Sequence, residues 1–137
     1  MEILQVQPHD VDRFWNDCAP LLQKALDKGR GESSLMGLRQ NLLNGQTQLW
    51  IVFEEEQKVI ACGISTIIQY ELKRVFRGLY LGGEKVEKWM KEMDSECEKY
   101  ALLWGCKDIE WFGRKGWMKK TAPLGYSEGY TIMRREL

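Results

Sequence analysis

The chain has 137 residues, 44% of them hydrophobic and 29% charged, with 13 Gly and 3 Pro. That is the composition of an ordinary globular protein and fits one domain over residues 1–137, so wholesale disorder and fibrous repeats are excluded. Twenty Lys and Arg balance twenty Asp and Glu, which removes the crude electrostatic case for nucleic acid or an anionic membrane as partner.

The elements follow in chain order. Ile3, Leu4 and Val6 make a short strand that Pro8 ends. The lone His9 reads as a turn residue, and Asp10 as the N-cap of a helix. Val11, Phe14, Cys18, Leu22 and Ala25 then recur at helical spacing, with a kink or split expected at Pro20. Ser33 or Ser34 caps a second helix carrying Leu35, Leu38 and Leu42, and Gly45 follows its end. The period changes at Gln48–Phe53, a β run. A polar turn leads to a second β run, Val59–Tyr70, with Gly63 as the expected bulge, and the two form a hairpin. A third run, Arg74–Leu81, closes at Gly82 and Gly83.

A long amphipathic helix comes next. Val86, Trp89, Met93, Cys97, Ala101 and Trp104 form its apolar stripe, with Glu92 and Glu96 on the outer face and Gly105 as the stop. Asp108–Phe112 is a strand, Trp117–Thr121 a short helix, and Tyr126–Arg135 a final strand. Three strands before the long helix argue for antiparallel pairing. The strand–helix–strand step across that helix argues for one parallel pair. The fold class is therefore mixed α/β (α+β), a mostly antiparallel sheet with helices on both faces.

Cys18, Cys62, Cys97 and Cys106 lack metal-ligand or redox spacing and read as small buried hydrophobes, so no metal site is expected. No basic leader and no long apolar run are present. The cytoplasm is the expected compartment, with no membrane partner.

The order of elements resembles the GNAT superfamily of acyl-CoA-dependent N-acyltransferases over nearly the whole chain. Ala101-Leu-Leu-Trp-Gly105 matches that family's A-x-x-x-G helix exit, and Leu124-Gly125-Tyr126 its L-G-F/Y. Gly113-Arg-Lys-Gly-Trp117 is similar to small GNAT-like proteins of tailed phages, which implies virion association as an alternative to a free cytoplasmic protein. The resemblance implies an acetyl-CoA cofactor whose phosphates rest at the start of the long helix, and an amine acceptor, either a small molecule or a protein. The family's loop Q/R-x-x-G-x-G/A falls at Lys85–Met90, where this chain reads Lys-Val-Glu-Lys-Trp-Met. The loop is degenerate, and Trp89 is expected to fill its space. The substitute cofactor site is Leu81, Gly82, Gly83 and Lys85, with Arg114 as a phosphate contact. The bland reading of the glycine pair is a plain turn.

The family's acid, a Tyr, falls on Thr121, and its Asn on Arg114. Tyr126 and Tyr130 lie off the motif, Glu110 is a base by location only, and the catalytic residues stay unassigned. Lys73, Arg74 and Arg77 form one basic cluster; Arg114, Lys115, Lys119 and Lys120 form another. They read as a phosphate contact, a nucleic-acid contact or a solvated face. Three functions follow: an acetyl-CoA-dependent N-acyltransferase, a non-catalytic assembly protein of the same fold, and, against the neutral charge, a nucleic-acid binder stacking on Trp111 or Trp117.

Overall fold

The computed structural model describes all 137 residues apart from the side chain of Glu56. Its elements are β1 (Glu2–Val6), α1 (Val11–Asp27), α2 (Leu35–Leu43), β2 (Gln48–Phe53), β3 (Val59–Gln69), β4 (Arg74–Gly83), α3 (Val86–Leu103), β5 (Asp108–Trp111) and α4 (Met118–Thr121). The sheet runs β1-β2-β3-β4-β5 in sequence order. The first four strands pair antiparallel, and β4 pairs β5 in parallel. The crossover is α3, as a parallel neighbour requires.

Two apolar layers hold the sheet. Val11, Cys18 and Leu22 of α1, with Leu38 and Leu42 of α2, pack on Leu49, Ile51, Cys62 and Ile64. Trp89, Met93, Cys97 and Ala101 of α3 pack on Trp50, Val52, Ala61 and Phe76 on the other face. β2 is covered on both faces, which is why Leu49–Phe53 is a continuous apolar run rather than an alternating one. Trp50 Nε1 donates to Ser65 Oγ at 2.8 Å, and Ser65 Oγ to Gln48 Oε1 at 2.9 Å. That chain satisfies the polar groups that the α3 layer buries.

Several expectations need correction. α1 is one continuous helix through Pro20, so it does not split there. Pro20 is exposed, so the carbonyl that its missing N–H leaves free faces water. Asp10 stands at the N-cap of α1 without a side-chain bond, whereas Ser34 caps α2 by accepting from Gly37 N at 3.1 Å. The sheet has two bulges, neither at Gly63: Val52 faces Ala61 and Phe53 faces Val59, leaving Ile60 of β3 unopposed, and Ser65 faces Gly78 and Ile64 faces Tyr80, leaving Leu79 of β4 unopposed. Gly63 is small for a different reason, since a Cβ there would stand 3.2 Å from the Tyr80 carbonyl oxygen. On α3, Glu92 is exposed but Glu96 is only half exposed, its carboxylate bonded to Lys99 Nζ at 3.1 Å.

The largest departure is the C-terminal segment. Residues 126–137 form no strand. Tyr126 is pinned by its hydroxyl, which donates to Asp94 of α3 at 2.6 Å. Arg134 and Glu136 then pair with Glu32 and Arg30 of the α1–α2 turn at 3.8 and 3.5 Å. Those contacts draw the segment toward the α1–α2 turn. Its alternating apolar residues stay exposed, so the pattern that reads as a strand has no ladder to join.

Candidate functional site: the gap between β4 and β5

β4 and β5 pair only from Val75↔Asp108 to Gly78↔Trp111. Beyond that, β4 continues alone for five residues, Leu79 to Gly83. Two features begin the separation. The bulge at Leu79 turns β4, and the Trp111 indole lies over Gly78 so closely that a Cβ there would come within 2.0 Å of the ring. Only glycine permits that approach. Alternation along β4 then decides what faces the gap. Gly78 O accepts from Phe112 N on the β5 side, and Glu84 N donates to Ile60 O on the β3 side. Counting back from Glu84, Leu81 and Gly83 turn their main-chain groups toward the space β5 has left.

Of the expected cofactor residues, Leu81, Gly82, Gly83 and Lys85 fall at the top of this gap, and the two glycines and the Lys85 side chain are already engaged. Gly82 and Gly83 are strand residues paired with Cys62 and Ala61, so β4 runs two residues past its expected end. A Cβ on Gly82 would stand 2.3 Å from the Leu21 carbonyl oxygen of α1, and one on Gly83 2.4 Å from Ala61 Cβ. Their small size admits neighbouring chain, not a ligand, and Gly82→Val would disrupt packing whatever the chain binds. Lys85 takes the left-handed conformation, φ 55°, as the residue before α3. That conformation costs about 1–2 kcal/mol in a residue with a side chain. Lys85 Nζ donates to Glu54 Oε2 at 2.6 Å. This bond holds the Glu54 carboxyl below the ordinary carboxylate range and raises the Lys85 ammonium above its usual one.

Trp89 is fully buried, and its Nε1 donates to the Glu84 carbonyl at 2.6 Å. The indole turns into the core instead of outward. What fills the place of the family's loop is the first helical turn itself, which starts at Val86 with no glycine to allow close main-chain approach. Glu54, Glu84 and Glu87 surround that turn against Lys85 and Lys88. Carboxylates there suit the helix dipole and repel a bound anion. These residues do not fit a pyrophosphate. Arg114 is exposed on the turn before α4, outside this arrangement.

Below the gap, on the face away from α3, lies a half-buried polar group that sequence reasoning resolved only in part. The Arg77 guanidinium sits 4.5 Å from the Phe112 ring centroid, donates through Nη2 to the Tyr70 hydroxyl oxygen and faces Glu110 Oε1 at 3.6 Å. Arg77 Nε and Glu110 Oε1 are shielded from solvent without a hydrogen-bond partner. Lys73 pairs with Asp108, and Arg74 Nη1 donates to the Trp104 carbonyl at 2.7 Å. This cluster therefore braces the β4–β5 junction. Arg114, Lys115, Lys119 and Lys120 are exposed, with Lys120 over the Trp117 ring at 5.2 Å.

The candidate acids are occupied or displaced. Thr121 Oγ1 donates to the Trp117 carbonyl at 2.9 Å, and Tyr130 is fully exposed. Burial and the bond to Asp94 raise the Tyr126 phenol well above its ordinary range. Cys18, Cys62, Cys97 and Cys106 are all buried free thiols, and Cys62 donates weakly to the Cys18 carbonyl at 3.7 Å. Among the described residues no group of three His, Cys, Asp or Glu gathers as a metal site, and no helix is long and apolar enough to cross a membrane.

No protein-family model matches the sequence, and no curated protein matches it. Solved structures do match the fold. The ribosomal-protein-alanine N-acetyltransferase of Brucella melitensis biovar Abortus 2308 is 10% identical with a TM-score of 0.74, covering 100% of both chains. A predicted acetyltransferase of Clostridium acetobutylicum, solved with acetyl-CoA, is 13% identical with a TM-score of 0.70, covering 98% of this chain and 95% of that one. An aminoglycoside acetyltransferase from an uncultured soil metagenomic sample, in complex with sisomicin, is 12% identical with a TM-score of 0.71, covering 99% and 95%. At these identities the likeness is one of fold, and the fold is that of the GNAT acetyltransferases.

Proposed function

We propose that this chain keeps the GNAT fold as a binding scaffold and does not transfer an acyl group from acetyl-CoA. The carrying observation is the start of α3. The Lys85–Glu54 bond ties down the residue before the helix, the turn at Val86 carries no glycine, and Gly82 and Gly83 are packed against Leu21 and Ala61, so the glycine-rich cradle that a pyrophosphate needs is replaced there. The partner is a protein, and the short-motif likeness to phage proteins suggests an assembly role in a virion.

A second reading has one observation behind it. The open β4 edge at Leu81 and Gly83 is suited to an extended, amide-bearing ligand held by main-chain hydrogen bonds. In an acetyl-CoA-dependent N-acyltransferase acting on an amine, that edge would face the cofactor. Glu110 would be the carboxylate beside the gap to take the amine's proton.

Calorimetric titration separates the two. The scaffold reading expects no saturable heat from acetyl-CoA up to about 1 mM, whereas a micromolar Kd would overturn it in favour of the enzyme.

A further inference from the structure

We propose that the outer edge of β1, with the hollow between it and α3, receives the C-terminal segment of a second copy of this chain as an added strand. The surface lies at the opposite edge of the sheet from the β4–β5 gap, so this inference stands apart from the reading above.

The acceptor has two parts. β1 pairs with β2 alone, which leaves the main-chain groups of its other edge without a ladder. Such an edge is a template for another strand unless something covers it. Beside it, two adjoining hollows of about 190 and 210 Å³ open between β1 and α3. The larger is lined by Ile3, Glu92, Ser95 and Glu96. The other, toward Gln5, is lined on one side by Trp50, Tyr100 and Leu103 and on the other by Glu96 and Lys99. Leu103 is 81% exposed and Leu102 67%. Glu96 is bonded to Lys99, while Glu92 has no ion pair among the described residues. Walking along β1 from Gln5 back to Ile3, the surface goes from one that pairs Trp50, Tyr100 and Leu103 with the Glu96–Lys99 ion pair to one where Glu92, without an ion pair among the described residues, joins Glu96.

An antiparallel strand added to β1 therefore meets Trp50, Tyr100 and Leu103 first and Glu92 two residues later, on one face of its own pleat. The C-terminal segment has that order on both of its faces. Tyr130, Ile132 and Arg134 alternate with Thr131, Met133 and Arg135. It is also available. Ile132 is 72% exposed and Met133 94%. Among the described residues, the segment beyond Tyr126 is tethered by the Arg134–Glu32 and Arg30–Glu136 pairs between exposed side chains. Pairs of that kind contribute about 0–1 kcal/mol each and give way to a better partner. Reciprocal exchange between two copies closes a two-fold dimer; one-way donation builds an open chain.

The test is the mass of the full chain by light scattering or sedimentation, over a range of concentrations. The single chain is 16.1 kDa. The expected result is a rise to twice that mass or more. Ile132→Asp with Met133→Asp should weaken association at least about tenfold, and Glu92→Arg should weaken it less. Mixing Glu92→Arg with the Arg134→Glu, Arg135→Glu variant should restore association through the swapped charges. All these side chains are exposed in the single chain, so an unchanged melting temperature shows that each variant is folded. A mass that stays at one chain up to about 1 mM overturns the proposal. So does an oligomer that ignores the tail variants, which would point to the β5 edge or another surface.

Discussion

At its N-terminal end α3 turns its groups inward. The Trp89 indole is buried and bonded to the Glu84 carbonyl, and Lys85 closes on Glu54. At its C-terminal end the same helix leaves Leu102, Leu103 and Trp104 in solvent, beside an unpaired strand edge. The sequence resemblance to N-acyltransferases would place a cofactor's phosphates at the N-terminal end. Here it is the better-sealed of the two, and the open surface lies at the other end. A fold family's usual site is thus no guide to where a given chain keeps its free surface.

The largest expected effect is at the sealed end. Trp89→Ala removes a wholly buried indole and leaves the Glu84 carbonyl without its partner, for an expected loss of about 3–5 kcal/mol in thermal or urea unfolding. A loss below about 1 kcal/mol would mean that the indole is not the plug it looks to be. Next comes Met93→Ala, one turn further along the same stripe and 3% exposed, with about 2–5 kcal/mol expected. An unchanged melting temperature there would contradict the packing of α3 on Trp50 and Phe76.

The Lys85–Glu54 bond is expected to show itself in pH dependence. Glu54 is depressed in the folded chain, so its contribution is complete above the ordinary carboxylate range and is lost as pH falls through the folded value. Lys85 is raised, so its contribution is present below the usual lysine range and fades as pH climbs through the folded value. Glu54→Gln should flatten the acid side of the stability profile, and an identical profile would show the bond to be without consequence. The smallest effect belongs to the open end. Leu103→Ser should change stability by no more than about 0.5 kcal/mol, because the side chain leaves no packed neighbour behind. A larger loss would mean that the C-terminal end is packed and the contrast between the two ends is false.

Periodicity made the helices and the first five strands legible. Of the expected stripe, Trp89, Met93, Cys97 and Ala101 are buried as their spacing requires, Val86 is half-buried, and Trp104 stands half exposed past the end of the helix; β2 announces its burial by an unbroken apolar run. The parallel step into β5 followed from the helix between the strands. The C-terminal segment misled because alternation reports a β preference, not the presence of a neighbour, and Arg134 and Glu136 have ion-pair partners at the α1–α2 turn. At the site, the missing glycines were plain in the sequence, but their consequence was not. The indole expected to block the phosphates faces the core. The groups that close the turn include Glu54, thirty-one residues away in sequence. Contacts across such a separation leave no local pattern to read. The same holds for Arg77, Tyr70, Phe112 and Glu110, which meet only because β4 and β5 lie side by side.

The sealed start of α3 is tested most directly by following the indole N–H resonances of the six Trp residues by NMR while acetyl-CoA is added. The account predicts that the Trp89 resonance, assigned through its loss in Trp89→Phe, stays in place up to about 1 mM ligand, as do the amides of Lys85, Val86 and Glu87. A saturable, micromolar shift of those amides together with the Trp89 indole would contradict it, because it would mean that the turn opens to take the phosphates.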